Sequence, residues 1–266
     1  MNPRPVKSLA NSPWFRMYRP QPGATARIVC LPHAGGSASF FRGWVDYFPP
    51  TMELVAVQYP GREERINDAP VGSMPALVDA LINEISPIID RPYLLFGHSM
   101  GAAVAHELCL ALMQRGLRLP LRLVVSAREP PIHHKGGRWH HATDAALCEE
   151  MVRLGGTPSV LLQSDELRSL MLPVIRNDYR LIETYRPPQY QPPLPIPLSA
   201  FIGREDGELT SKQAADWALF AAEVFELKSF PGGHFYLMEQ RAAVVADLLH
   251  SFQAQTPCVS IWPSTP

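Results

Sequence analysis

Paired cysteines, excess charge and long apolar runs are scarce in this sequence of 266 residues, and each shortage removes a class of function. The four cysteines, Cys30, Cys109, Cys148 and Cys258, have no paired spacing, which argues against a disulfide framework or a zinc site. Cys30 and Cys109 lie in apolar runs and read as small core residues. The formal net charge is −1, so bulk electrostatics favour neither nucleic acid nor an anionic membrane as partner. No stretch reaches the roughly 18 apolar residues of a membrane span. Residues 1–15 carry prolines and polar side chains in place of the apolar core of a signal peptide. A cytoplasmic protein is expected. There is no internal repeat.

What is present is a hydrophobic content of 46%, ample for one α/β domain over residues 1–266. Residues 1–26 read as an irregular lead-in, with Trp14 and Phe15 tucked against the body. Short apolar runs at 27–31, 52–58, 93–98, 121–127, 198–203 and 224–230 read as six strands. Helical periods run between them: around Phe40, Phe41 and Trp44, at 74–89, at 100–116, at 211–220 and at 235–253. Six strands alternating with helices predict a mostly parallel sheet covered on both faces. The alternation breaks between 128 and 195. There, helices at 144–154 and 165–185, split by Gly155-Gly156-Thr157-Pro158, predict a lid insertion over about 130–190, mobile and beside the carboxyl edge of the sheet. Residues 256–266 read as a loose tail.

The chain is organised around Phe96-Gly97-His98-Ser99-Met100-Gly101. An apolar run precedes it and a helical run follows, the context in which a G-x-S-x-G elbow makes serine a nucleophile. Serine needs a base. Among nine histidines, His234 in Pro231-Gly232-Gly233-His234 follows the last strand and has the loop freedom to reach Ser99. His33 is the alternative base. The orienting acid belongs between Ser99 and His234 in the order that goes with such an elbow. Asp206, after the strand at 198–203, fits, with Glu205 and Glu208 as local rivals. Oxyanion donors are expected from the backbone N–H groups of Met100 and of Ala34, in the loop His33-Ala34-Gly35-Gly36 that His33 shapes. Arg62 and Arg65 are either solvated turn residues or contacts to an anionic partner. The histidine-rich segment at 133–141 has no fixed scaffold for a metal, and the prolines at 187–197 read as a stiff connector.

With these residues placed, the sequence resembles the type II thioesterases, the stand-alone editing enzymes of nonribosomal peptide and polyketide synthases. The resemblance runs from about residue 28 to 252. It rests on Leu-Pro-His-Ala-Gly-Gly-Ser at 31–37, Tyr-Pro-Gly-Arg-Glu-Glu-Arg at 59–65, the elbow at 96–102, Leu-Gly-Gly-Thr-Pro at 154–158, Leu-Pro-Val-Ile-Arg-Asn-Asp at 172–178, Glu-Thr-Tyr at 183–185 and Phe-Pro-Gly-Gly-His-Phe-Tyr-Leu at 230–237. It implies an α/β-hydrolase fold with a helical lid, and Ser99, Asp206 and His234 as the triad. The implied substrate is an acyl or aminoacyl thioester on the phosphopantetheine arm of a carrier protein, met transiently by a monomer. His33, Arg62 and Arg65 would stand on the substrate and carrier side. No metal or other cofactor is expected. The chain departs from the family at Gly207-Glu208, where proline is frequent, and at 132–141. A small-molecule esterase of the same fold and a non-catalytic carrier-binding protein are the rival readings.

Overall fold

The computed structural model describes residues 12–156 and 164–253. The expected tail at 256–266, Thr157-Pro158 and residues 1–11 of the lead-in lie outside the described residues. Among the described residues, seven strands form one sheet in the order β1-β3-β2-β4-β5-β6-β7. They are β1 (Phe15–Arg16), β2 (Ala26–Leu31), β3 (Met52–Val57), β4 (Tyr93–His98), β5 (Arg122–Ser126), β6 (Leu198–Gly203) and β7 (Phe225–Phe230). All neighbours are parallel except β1 with β3. Every residue of β2 through β6 is buried. That is why these strands read as unbroken apolar runs: helices cover both faces.

On one face lie α1 (Met74–Glu84) and α2 (Met100–Gln114), packed through Leu77, Leu81, Val104 and Leu108 onto Val29, Leu31 and Leu95. On the other, α6 (Arg241–Gln253) and the segment Ala38–Tyr47 cover Ile28, Cys30, Leu94 and Phe96. Between β5 and β6 the chain leaves the sheet for α3 (Asp144–Leu154) and α4 (Asp165–Thr184), the insertion expected at 130–190. The two helices meet through Leu147, Met151, Leu172 and Ile175. A short helix, α5 (Ser211–Ala215), precedes a 3-10 turn at Asp216–Phe220.

Three expectations need correction. The lead-in is not wholly irregular, because Phe15 and Arg16 pair antiparallel with Val57 and Ala56. The helix expected around Phe41 is 3-10, and its buried residues Ala38, Phe41 and Trp44 recur every third position, which suits three residues per turn. Helix α1 stops at Glu84 rather than near 89. Pro87 cannot continue it, and Ile85 and Ile88 stay buried in a following turn.

Candidate active site

The parallel registers bring the carboxyl ends of the strands to one edge: Leu31 opposite Gly97, His98 opposite Ser126, and Gly203 opposite Phe230. Ser99 stands on that edge between β4 and α2. Its backbone lies at φ 53° and ψ −117°, a region that L-residues avoid. Strain of this kind costs about 1–3 kcal/mol and persists only where neighbours impose it. Here the Ser99 N–H donates to the Ser126 carbonyl at 2.8 Å, and the Ala102 N–H to the Ser99 carbonyl at 3.0 Å. The close approach needs glycine on both sides. A Cβ on Gly97 would lie 2.2 Å from the Gly101 carbonyl oxygen, and one on Gly101 would lie 2.2 Å from the Leu31 oxygen.

His234 Nε2 lies 3.1 Å from Ser99 Oγ, and its Nδ1 lies 3.0 and 3.2 Å from the two carboxylate oxygens of Asp206. A carboxylate only accepts, so Nδ1 carries the proton and Nε2 is left as acceptor for the serine hydroxyl. The Asp206 side chain is fully buried. The Glu208 N–H donates to Asp206 Oδ1 at 2.9 Å, so Gly207-Glu208 forms a turn that supports the acid. The two rival carboxylates are engaged elsewhere. Glu205 accepts the Gly232 N–H, and Glu208 meets Arg153 at 2.6 Å. His33, the alternative base, is packed edge-on against Phe40 and Phe235, at 4.8 and 4.7 Å between centroids. Burial, reinforced by His234 and Arg62, pushes its pKa down to about 3. His98 is likewise held neutral by burial, its Nδ1 in contact with Ser126 Oγ, which in turn meets Tyr236 OH.

The loop after β2 is fastened from outside the sheet. Asp178 of α4 accepts the Gly35 N–H at 2.8 Å and two Arg62 N–H groups at 2.8 and 3.0 Å. Arg62 also donates to the Gly36 carbonyl at 2.8 Å, while the Gly36 N–H donates to His33. Arg62 and Asp178 are both buried. With Gly35 and Gly36 committed, Ala34 is the residue of this loop that lines the cavity beside Ser99, Met100 and His234.

The profile of the thioesterase domain family matches residues 26–252 of the chain. The chain belongs to that family. It is 38% identical to the probable cadicidin biosynthesis thioesterase of Streptomyces griseus, over 91% of this chain and 67% of the relative. It is 37% identical to thioesterase PikA5 of Streptomyces venezuelae, over 93% of this chain and 88% of the relative. Among solved structures, the type II thioesterase BorB from the borrelidin biosynthetic cluster superposes with a TM-score of 0.83 at 38% identity, covering 90% of this chain and 97% of that one. The fold is therefore that of thioesterase α/β-hydrolases, and the protein is a hydrolase of thioesters.

In this thioesterase a cavity of about 580 Å³ opens over Ser99, walled by the loop after β5 and by α3 and α4. The expected docking role of Arg62 and Arg65 does not fit their placement. Arg62 is sealed against Asp178. Arg65 is buried over the Trp14 ring, 4.5 Å from its centroid, and bonded to Asp68 and the Gln58 carbonyl. The Arg62–Asp178 clamp was not legible in the sequence, since its partners lie 116 positions apart. The motif residues at 172–178 were its one outward sign. The histidine-rich loop is held by protein groups: His133 meets Asp216 at 2.5 Å, His134 meets Tyr185 O at 3.1 Å, and His140 meets Glu183 at 2.6 Å.

Proposed function

We propose that this thioesterase is a stand-alone editing enzyme that releases acyl or aminoacyl groups from the phosphopantetheine arms of carrier proteins in nonribosomal peptide or polyketide assembly. The observation that carries the proposal is the contact chain from Asp206 through His234 to Ser99, at 3.0 and 3.1 Å, whose Ser99 and His234 line the cavity. The named pathways of the relatives support the substrate class.

In the proposed reaction, His234 Nε2 takes the Ser99 proton as Oγ attacks the thioester carbonyl. The N–H groups of Met100 and Ala34 receive the oxyanion. The tetrahedral species collapses, the carbon–sulfur bond breaks, and the pantetheine thiolate takes the proton from His234. Water then gives a proton to His234 and attacks the acyl-enzyme ester, and Ser99 recovers its proton as the free acid leaves. Asp206 holds the imidazole in the required tautomer and stabilises the imidazolium. No step calls on a metal or cofactor.

The test is mass spectrometry of the enzyme with an acyl-loaded carrier. A transient adduct of acyl mass on Ser99, absent from Ser99→Ala, is expected, with turnover lost in that variant. A Ser99→Ala enzyme that still hydrolyses the loaded carrier at the normal rate would refute the assignment.

A further inference from the structure

Most of the charged side chains that line the cavity have a partner of opposite charge or a histidine. Arg128 meets Glu129 at 3.1 Å, Glu150 and Glu208 each meet Arg153 at 2.6 Å, and Glu183 holds His140. Lys135 and Arg138 line the same cavity, are exposed, and have no acidic partner among the described residues. Their loop is built against α4. A Cβ on Gly137 would lie 2.3 Å from Glu183 Oε1, and one on Gly136 would lie 2.6 Å from the Glu183 carbonyl oxygen. The Glu183 carboxylate also accepts the Trp139 and His140 N–H groups, at 2.8 and 3.0 Å. The two cations therefore flank a Gly-Gly pair pressed onto a helix, at the solvent side of a cavity whose floor is Ser99.

We infer that Lys135 and Arg138 form a phosphodiester site that receives the pantetheine arm at the cavity rim. The inference rests on the proposed carrier-thioester function. A thioester has no formal charge. The anion that every arm carries, whatever its acyl group, is the phosphodiester at the end away from the sulfur. With the carbonyl at Ser99, the arm must run outward past the rim, and there it meets the two cations that no described carboxylate engages. The guanidinium offers a fork to two phosphate oxygens and the ammonium a point charge. Such a site recognises the arm without reading the acyl chain, which suits an enzyme that clears many different blocked arms.

The experiment compares kcat/KM for one group, propionyl, carried on 4′-phosphopantetheine and on phosphate-free pantetheine. It uses the full chain as wild type, as Lys135→Ala/Arg138→Ala, and as Lys135→Arg/Arg138→Lys. The expected wild-type preference for the phosphorylated thioester is about tenfold at low salt, shrinking as salt rises. It should fall toward one in the alanine double variant and survive in the charge-conserving one. A ratio unaltered by the alanine changes, or a wild-type ratio of one, overturns the site. Hydrolysis of neither thioester by the wild type overturns the carrier-thioester function itself, and so is distinguishable.

Discussion

Asp206 is one of three carboxylates within four positions of the chain, and the structure separates their tasks. It faces Nδ1 of His234 from a fully buried position, while Glu205 holds the Gly232 N–H and Glu208 pairs with Arg153. Asp206→Asn should lower kcat by about 10⁴ with little change in folding, because an amide can leave the imidazole in the wrong tautomer. Steady-state kinetics alongside Glu205→Gln and Glu208→Gln, each expected to stay within about tenfold of wild type, check this assignment. A near-normal Asp206→Asn beside an inactive neighbour would reassign the acid. At this scale the grouping of Ser99, His234 and Asp206 was legible, since each follows an apolar strand and precedes or occupies a glycine-marked turn. Arg62 and Arg65 were not. A charge in a turn reads as solvated until a remote partner, here Asp178, is brought to it.

Among the elements, α4 has a fastened end and a less fastened partner. Its C-terminal half is tied to the body by Asp178 on Arg62 and Gly35, by Asn177 on the Val71 carbonyl at 2.8 Å, and by Tyr185 just beyond it on Glu107 at 2.5 Å. Helix α3 meets it through a small cluster around Leu147 and Met151. Lid motion is therefore expected in α3, and not throughout 130–190. Hydrogen exchange should be faster over 144–154 than over 174–184, and equal protection would contradict this. The same tie gives Asp178 an indirect part in catalysis, through the loop that presents Ala34. Asp178→Ala leaves the Arg62 guanidinium buried and unpaired, an effect of about 3–5 kcal/mol on stability. The milder Asp178→Asn keeps one acceptor oxygen. It should lower kcat by about tenfold or more with a smaller change in KM, because oxyanion contacts strengthen only in the transition state. Equal changes in kcat for this variant and for a surface control would remove that role. Strands β2 to β6 were legible because each is buried on both faces, and the edge strand β7 from its place in the alternation of strands and helices. Strand β1 was not, since two residues cannot display a period.

Over the whole molecule, the neutral histidines beside the site make stability depend on pH. His33 has an ordinary value near 6.5 in the unfolded chain and about 3 when folded, and burial lowers His98 as well. The unfolded state therefore binds protons that the folded state refuses. Their contribution is complete above about pH 6.5 and is lost progressively as pH falls from there toward 3. Glu63, Glu107 and Glu129 are also lowered on folding and add to the loss at the acid end of that range, below about pH 4.5. Thermal unfolding midpoints should fall between pH 7 and 5, with a shallower slope in His33→Gln. An unchanged slope in that variant would show that His33 does not titrate on unfolding. Long-range packing of this kind, which sets His33 edge-on against Phe40 and Phe235, lies beyond what a linear pattern conveys.

The proposal that the cavity serves carrier-bound thioesters is tested most directly by kcat/KM for one acyl group presented on a carrier protein and on N-acetylcysteamine. The same group, the same Ser99 and the same cavity are used in both, so the difference isolates recognition of the arm and its carrier. A carrier thioester preferred by about tenfold or more, with the preference weakening as salt rises, is the expected result. Equal values for the two thioesters, unaffected by salt, would contradict the account and leave a general hydrolase of small thioesters and esters in its place.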